Sequence, residues 1–393
     1  MLKSIYKKSI LFIFGLICCS PLSTYISIKI GLPFGVPEVF ALFFFPFFTK
    51  EFIQFYRLLI NNIIKIYIVF FTLLSLGLIF NIEYIPGVFA SSRAYLYLFI
   101  FYFYGTKINF LNLNKLFIVA LGAVLGGYLN GILLGLNTVN VQSYSNVFAF
   151  LIVISYPLIK RKDLLFIICL FFTLYVSFYS GLRRIIVEII FCLFFILSLI
   201  FIRDKLKTSK VLVSTFFILP SLFLLFIDYI KTDISLNNPH LFRRIFLKTE
   251  KLSTSNAIES QGTRGDHFLN LFNYIVDTIF PKGIYPRGRS FNVNDSGGST
   301  LDFPLYELFY VFGSFFVLCV IIYFVLLFFK YVKIISKNKN EYTDELILVV
   351  VCFLMILLIS FFDGGFLQYT FVTPFTGLML GRFVYFKNIG QNR

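Results

Sequence analysis

The chain has 393 residues, of which 59% are hydrophobic, and a formal net charge of +16. A soluble domain is about half apolar by a similar count, and here apolar runs recur from end to end. The composition therefore excludes a soluble globular protein and predicts an all-α, polytopic integral membrane protein. The cysteines all lie in apolar runs, without histidines at metal-ligand spacing, so we expect free thiols and no zinc site.

Apolar segments of the right length to cross a membrane recur twelve times. A crossing helix needs about 20 mainly apolar residues. The opening "MLKSIYKKSILFIFGLICCS" resembles a signal sequence, but we expect it to remain as the first helix because many spans follow. The predicted spans are 9–30, 34–49, 61–81, 88–106, 116–136, 143–159, 163–180, 184–202, 210–230, 303–329, 345–362 and 366–384.

These spans divide the chain into three parts. Residues 1–230 hold helices one to nine, residues 231–302 form one long external loop, and residues 303–393 hold helices ten to twelve. Placing the N-terminus in the cytoplasm puts most basic residues of the short loops on the cytoplasmic side, as the positive-inside rule requires. Both termini are then predicted to be cytoplasmic, with the long loop outside.

One short outer turn opposes this charge trend. Arg183 and Arg184 precede the eighth span, and Glu188 follows one helical turn later. An ion pair between Arg184 and Glu188, four residues apart on one helix face, is one interpretation. It leaves Arg183 unexplained.

A glycine-rich stretch in the fifth span predicts close helix packing. In "GAVLGGYLNGILLG", residues 122–135, glycines recur at four-residue spacing. Small residues at this spacing let two helix backbones approach. We expect Asn130 to link the helices by a hydrogen bond.

The long loop contains two amphipathic segments. "HLFRRIFLKTEKL", residues 240–252, has the pattern of a helix lying in the membrane interface. "GTRGDHFLNLFNYIVDTIF", residues 262–280, repeats apolar residues at helical spacing. Thr263 is its candidate N-cap, and Pro281 and Gly283 are expected to end it.

Several arginines of the outer face suit a phosphorylated ligand. Arg264 falls in the first turn of the second amphipathic helix, where the helix dipole disfavours a cation. It is either a solvated surface residue or serves a ligand. Arg287 and Arg289 follow in a Gly-, Asn- and Ser-rich stretch. Because arginine binds phosphate oxygens bidentately, these side chains with Arg183 and Arg184 predict a site for a lipid diphosphate, and no nucleic acid is expected there.

The arrangement resembles the bacterial O-antigen or capsule repeat-unit polymerases of the Wzy type, in the O-antigen ligase-like superfamily. The resemblance rests on the many spans, the long loop before the last helices, the "SGLRR" turn and the stretch "TRGDHFLNLF…PKGIYPRG". The segment "LDFPLYELFYVFG", residues 301–313, is the most specific part. Asp302 stands where ligases carry a histidine, which favours the polymerase branch, with Glu307 nearby and Gly313 at the family's glycine.

The resemblance implies a GT-C-like, metal-independent glycosyltransferase without a cofactor. It would act on undecaprenyl-diphosphate-linked oligosaccharides at the outer face of the bacterial cytoplasmic membrane. Membrane lipid, a chain-length regulator and a flippase are the implied partners. Arginines would stabilise the diphosphate leaving group without proton transfer. Asp302, Glu307 and His267 are the candidate general bases, and Arg264 is a further candidate catalytic residue.

Two alternatives remain open at this point. An O-antigen-type ligase would transfer glycan from the lipid carrier to another acceptor. A transporter or lipid-linked glycan flippase is also compatible with twelve spans. Transporters usually carry charges within spans and internal repeats, whereas this sequence has few such charges, no obvious repeat, and a long external loop that transport does not require.

Overall fold

The computed structural model of the protein describes residues 2–22, 26, 52–107, 113–134, 147–180, 183–204, 271–286, 304–337, 341–359 and 372–389. Within these ranges the chain is helical apart from short turns, and no β-strand occurs, as the composition predicted. The α-helices of these ranges are α1 (Leu2–Cys18), α2 (Phe52–Phe80), α3 (Ile85–Lys107), α4 (Leu113–Leu134), α5 (Val147–Ile159), α6 (Asp163–Ser180), α7 (Arg183–Asp204), α8 (Leu271–Asp277), α9 (Pro304–Phe312), α10 (Ser314–Lys337), α11 (Glu341–Ile359) and α12 (Thr373–Ile389).

Helix boundaries follow the apolar runs most closely in the middle of the chain. Helices α3 to α7 agree with the predicted spans to within a few residues. The first helix begins at Leu2 rather than residue 9, and α2 begins at Phe52 rather than residue 61. The polar residues at these ends continue the helix because helix propensity is not limited to apolar residues. The predicted spans 34–49 and 210–230, and the segment 240–252, lie outside the described residues.

The predicted span 303–329 is not one helix. It is broken at Gly313, whose φ of 82° lies in the left-handed region that suits glycine. A side chain there would also lie 2.7 Å from the carbonyl oxygen of Ile279. The break between α9 and α10 therefore packs closely against the backbone of residues 279–281 in the long loop.

Three helices of the described ranges are long and apolar enough to cross a membrane. Their apolar segments are Leu113–Asn130 in α4, Ser314–Lys337 in α10 and Tyr342–Ile359 in α11. A further pair, Tyr67–Phe80 with Ile82–Phe103, passes the same test together but bends by 105° at its break. The helices thus agree with a helical membrane protein, in line with the first expectation from composition.

Close contacts between Cα atoms divide the chain into two compact units, each built from separate stretches of sequence. In the first unit, α1 packs on α4 through glycines. A Cβ atom on Gly122 would overlap the backbone of Phe12, and one on Gly126 would lie 2.5 Å from the carbonyl oxygen of Leu16. The glycine stretch therefore packs as predicted at these two positions. The side chain of Asn130 is buried, and its Oδ1 accepts no hydrogen bond within the described ranges, so its role as a link between helices stays a prediction.

The first unit also holds a cluster of charges at helix ends. Arg203, at the end of α7, donates to Asp344 Oδ1 over 2.6 Å and to both oxygens of Asp204. Arg161 donates to Asp204 over 2.7 Å, and Lys160 to Asp344 over 3.0 Å. Burial alone would raise the pKa of Asp204, but the hydrogen bonds and charges of Arg203 and Arg161 outweigh it and lower that pKa. These ion pairs fasten the turn between α5 and α6 to α7 and α11.

The second unit contains α2, α3, α8, α9 and α12, with the adjoining parts of α10 and α11. Helices α3 and α12 pack through glycines, since a Cβ atom on Gly105 would lie 2.5 Å from the carbonyl oxygen of Leu378. The first turns of α9 pack on α8 around Tyr274, Tyr306 and Phe309. This contact brings α8, a helix within the long loop, onto the helix that follows the loop.

Candidate functional site

Most residues that the sequence predicted for the site lie outside the described ranges. They are Asp302, Arg264, His267, Arg287 and Arg289. Arg183 and Arg184 are the first two residues of α7, and the placement of their side chains is not described. Glu188, the candidate ion-pair partner of Arg184, is buried one turn further along α7. The convergence of the arginines therefore stays a prediction.

Glu307 is the predicted site residue whose surroundings are described. Helix α9 begins at Pro304, a residue suited to the first helical position because it needs no N–H partner there. Glu307 follows in the first turn of α9, where the helix dipole favours a negative charge. Its side chain is only 1% exposed. A carboxyl group so placed requires hydrogen-bond donors, since burying it without them is costly.

Tyr95 supplies such a donor. Its hydroxyl donates to Glu307 Oε1 over 2.5 Å, which is in the range of O–H···O⁻ bonds to a charged acceptor. The ring of Tyr95 is itself fully buried on α3 and meets the ring of Phe312 edge to face at 6.2 Å. The helix α9 and the helix α3 are thus joined by a charge-assisted bond within an aromatic environment.

Tyrosines of the loop pack against tyrosines of α9, the helix that carries Glu307. The ring of Tyr306, the residue before Glu307, lies 4.3 Å from the ring of Tyr274. The rings of Tyr285 and Tyr310 meet edge to face at 5.3 Å. All four tyrosines are buried, so their rings form the packed wall of the region rather than an open surface for a sugar.

The bend between α2 and α3 has its own polar contacts. Asn81 Nδ2 donates to the carbonyl oxygen of Gly77 over 2.8 Å. Its Oδ1 accepts from the hydroxyl of Tyr310 over 3.1 Å. A single 3-10 turn, Ile82–Tyr84, then leads into α3. Asn81 therefore satisfies backbone groups that the break leaves open and connects the bend to α9.

The last described part of the long loop lies against α2 and α9. The backbone N–H of Ile284 donates to the carbonyl oxygen of Leu73 over 2.9 Å, and that of Lys282 to Tyr310 over 2.8 Å. Gly283 has a φ of 81° and abuts the backbone of Gly77. Since no side chain fits at either glycine, this contact depends on both.

Sequence reasoning missed Tyr95 and Asn81. A signal existed for Asn81, because "FNIEYIPG" interrupts an apolar run with polar residues, proline and glycine. Tyr95 gave none, since it stands in the aromatic stretch "RAYLYLFIFYFY" among similar residues. In the described ranges, no three His, Cys, Asp or Glu side chains come together as metal ligands would, and the metal-independent chemistry stays a prediction.

No protein-family model, curated protein sequence or solved structure matches this chain.

Proposed function

We propose that this chain is a glycosyltransferase that joins undecaprenyl-diphosphate-linked oligosaccharide repeat units into a surface polysaccharide, O-antigen or capsule, at the outer face of the bacterial cytoplasmic membrane. One observation carries the proposal. Glu307, within the segment of closest resemblance, is a buried carboxylate held by Tyr95 in the first turn of the helix that follows the long loop. A membrane protein retains a buried charge rarely, and such residues are usually functional.

The proposed reaction transfers the growing glycan to a sugar hydroxyl of the incoming repeat unit. The acceptor oxygen forms a bond to the anomeric carbon, and the bond between that carbon and the diphosphate oxygen breaks. The electron pair leaves with undecaprenyl diphosphate, while a carboxylate takes the proton of the acceptor hydroxyl. Arg183, Arg184, Arg264, Arg287 and Arg289 are the proposed cations that stabilise the leaving group.

The burial of Glu307 divides the roles of the two acids in this proposal. A general base must reach the proton it removes, and a side chain that is 1% exposed offers little access to a bulky sugar. Asp302, two residues before α9, is therefore the proposed base. Glu307 is the proposed positioning residue, which fixes the start of α9 through Tyr95.

The diphosphate role of the arginines has its own expected outcome. Arg183→Ala and Arg264→Ala should cause lipid-linked repeat units to accumulate at an unchanged protein level. Arg→Lys should reduce polymer only partially, because lysine keeps the charge and loses the bidentate geometry. For the alternative ion pair, Arg184→Ala should lower protein abundance and Glu188→Gln should restore it.

The test of function is deletion of the gene in its own bacterium and analysis of lipid-linked glycans. If the protein is the polymerase, deletion leaves single lipid-linked repeat units and no ladder of longer polymers. The full-length protein restores the ladder. The Asp302→Asn protein should be present at a normal level without restoring it. Long polymer retained on the undecaprenyl carrier would instead identify a ligase. Repeat units confined to the cytoplasmic leaflet would identify a flippase, and either result overturns the proposal.

A further inference from the structure

Helix α8 and the turn after it present three different faces. At about 100° per residue, Tyr274, Ile275 and Thr278 share one face, and Asn273 and Asp277 share another. The third face carries Phe272 and Val276, and the apolar residues Ile279 and Phe280 follow in the turn after α8. Apolar residues thus occupy two of the three faces, whereas an amphipathic helix on a protein surface needs only one.

The first apolar face is used inside the protein. Tyr274 is buried against Tyr306 and Phe309, with Ile275 packed beside them. Thr278 is buried too, and its hydroxyl donates to the carbonyl oxygen of Tyr274 over 2.6 Å. This face accounts for the attachment of α8 to α9.

The second apolar face is open. Phe272 is 72% exposed and Phe280 is 80% exposed, with Val276 and Ile279 also exposed between them. The polar residues Asn273 and Asp277 are exposed beside this face. A cluster of large apolar side chains left open on a protein marks contact with another apolar phase.

The end of α8 lies against a helix that has the properties of a membrane span. The backbone N–H of Ser314 donates to the carbonyl oxygen of Thr278 over 2.7 Å, and its hydroxyl to that of Ile275 over 2.6 Å. These bonds hold the start of α10 against the end of α8. The next residue, Phe315, is 70% exposed, and Phe316 is exposed as well. Of the three candidate spans in the described ranges, α10 has the highest mean hydropathy, and only 17% of its apolar segment is buried inside the protein.

We propose that the face formed by Phe272, Val276, Ile279 and Phe280 is inserted into the lipid–water interface of the membrane, where it contacts phospholipid acyl chains. The occupant is lipid because the end of α8 is bonded to the start of α10, a candidate membrane span whose first-turn residues Phe315 and Phe316 are exposed. Asn273 and Asp277 then point to water and headgroups, as in helices that lie in the interface plane. Residues 272–280 of the long loop therefore form a membrane-bound segment and not a free external one.

The proposal stands independently of the enzymatic function. It rests on exposure and on the bonds of Ser314, and it requires only that α10 crosses the membrane. It also sets the position of the candidate site. Tyr274, on the opposite face of the same helix turn, contacts Tyr306 next to Glu307, so that region lies at the depth of the headgroups.

The experiment uses the absence of tryptophan from the chain. Phe272→Trp and Phe280→Trp each create a full-length protein with a single tryptophan, which is excited selectively over the tyrosines after reconstitution in phosphatidylcholine vesicles. Quenching is measured with phosphatidylcholines brominated at successive acyl positions and with aqueous iodide. Asn273→Trp is the matched control on the polar face of α8, and Leu326→Trp is the control in the exposed apolar part of α10.

Brominated lipid should quench Phe272→Trp and Phe280→Trp several-fold more than Asn273→Trp, and most strongly when bromine is near the headgroup. Leu326→Trp should respond to deeper bromines. Aqueous iodide should quench Asn273→Trp more strongly than Phe272→Trp and Phe280→Trp. Quenching by iodide of all three variants at residues 272, 273 and 280 would overturn the proposal. Protection of the two phenylalanine positions from both quenchers would also overturn it, because protein would then cover the face.

A second measurement needs no substitution. A phospholipid with a photoreactive acyl chain should label the peptide containing residues 272–280 in the unaltered protein. Absence of label there, with label on α10, would contradict the proposal even where a tryptophan variant fails to fold. Neither measurement depends on glycan transfer, so failure here leaves the proposed function in place.

Discussion

At the scale of single residues, the hydroxyl of Tyr95 matters because its acceptor is a buried carboxylate. Tyr310 offers a matched comparison, since it also donates a buried hydroxyl to a side chain, but to the neutral amide of Asn81. Hydrogen bonds to charged groups contribute about 1.5–3 kcal/mol, against about 0.5–1.5 kcal/mol for neutral ones. The two tyrosines therefore separate the effect of charge from that of burial.

We expect Tyr95→Phe to destabilise the protein more than Tyr310→Phe, by about 1 kcal/mol. The measurement is thermal unfolding of the purified full chain in detergent. Tyr95→Phe with Glu307→Gln should recover part of the loss, because an uncharged amide requires weaker donors. Equal melting temperatures for the two tyrosine variants would show that the hydrogen bond from Tyr95 to Glu307 stabilises the protein no more than the bond from Tyr310 to Asn81.

The charge cluster of the first unit gives a second comparison between residues. The side chain of Arg203 is 6% exposed and that of Arg161 is 62% exposed. Removing one partner of a buried pair costs about 3–5 kcal/mol, whereas an exposed pair contributes about 0–1 kcal/mol. Arg203→Gln should therefore lower the melting temperature strongly and Arg161→Gln only slightly. Similar melting temperatures for both would mean that the cluster does not stabilise the fold.

The pH dependence of this cluster follows from the lowered pKa of Asp204. A carboxyl group whose pKa is lower in the folded state stabilises the protein above its unfolded pKa of about 3.9. That contribution is lost as the pH falls through the folded pKa. We expect Arg203→Gln to flatten the fall in melting temperature below about pH 4, because the mutant lacks the interaction that protonation removes. An unchanged acid profile would argue against this assignment.

At the scale of elements, helix α4 contains both a packed glycine and an open one. A Cβ atom on Gly122 would overlap the backbone of Phe12 on α1. A Cβ atom on Gly127 would have no neighbouring atom within 4 Å in the part of the chain that the structure describes. The same substitution therefore tests packing at one position and helix propensity at the other.

Gly122→Ala should destabilise the protein, because α1 has to move away from α4. Gly127→Ala should leave stability unchanged or raise it by up to about 1 kcal/mol, since alanine is the better helix former. Melting temperatures in detergent provide the comparison. If the two alanine variants behaved alike, the close approach of α1 and α4 would be wrong.

At the scale of the whole molecule, the structure adds a constraint to the topology predicted from charge. Lys160, Arg161, Arg203 and Asp344 are joined by ion pairs at the ends of helices. The helix ends that carry these four residues must therefore lie on one side of the membrane. The charge distribution predicts that this side is the cytoplasm.

Reporter fusions near residues 161, 204 and 340 should all report a cytoplasmic location, and one near residue 270 should report an external one. A reporter enzyme that is active only outside the cytoplasm makes this measurement. Opposite locations among the first three would contradict the ion pairs. A cytoplasmic location near residue 270 would overturn the orientation and with it the proposed external site.

The sequence by itself determined the class of the protein and most helix boundaries in the described ranges. It also located the glycine packing at Gly122 and Gly126. These properties depend on the length of apolar runs and on spacing within one helix, which are local and can be read from neighbouring residues.

Only the tertiary structure decided which polar groups meet and where the regular helices break. Tyr95 and Glu307 are 212 residues apart in the sequence, and Asn81 and Tyr310 are 229 apart. The break at Gly313 packs against Ile279 of the loop. The open apolar face at α8 can be recognised only because the structure shows that α9 covers the other apolar face. Apolar pattern cannot reveal these features, because it records that a side chain avoids water and not whether protein or lipid covers it.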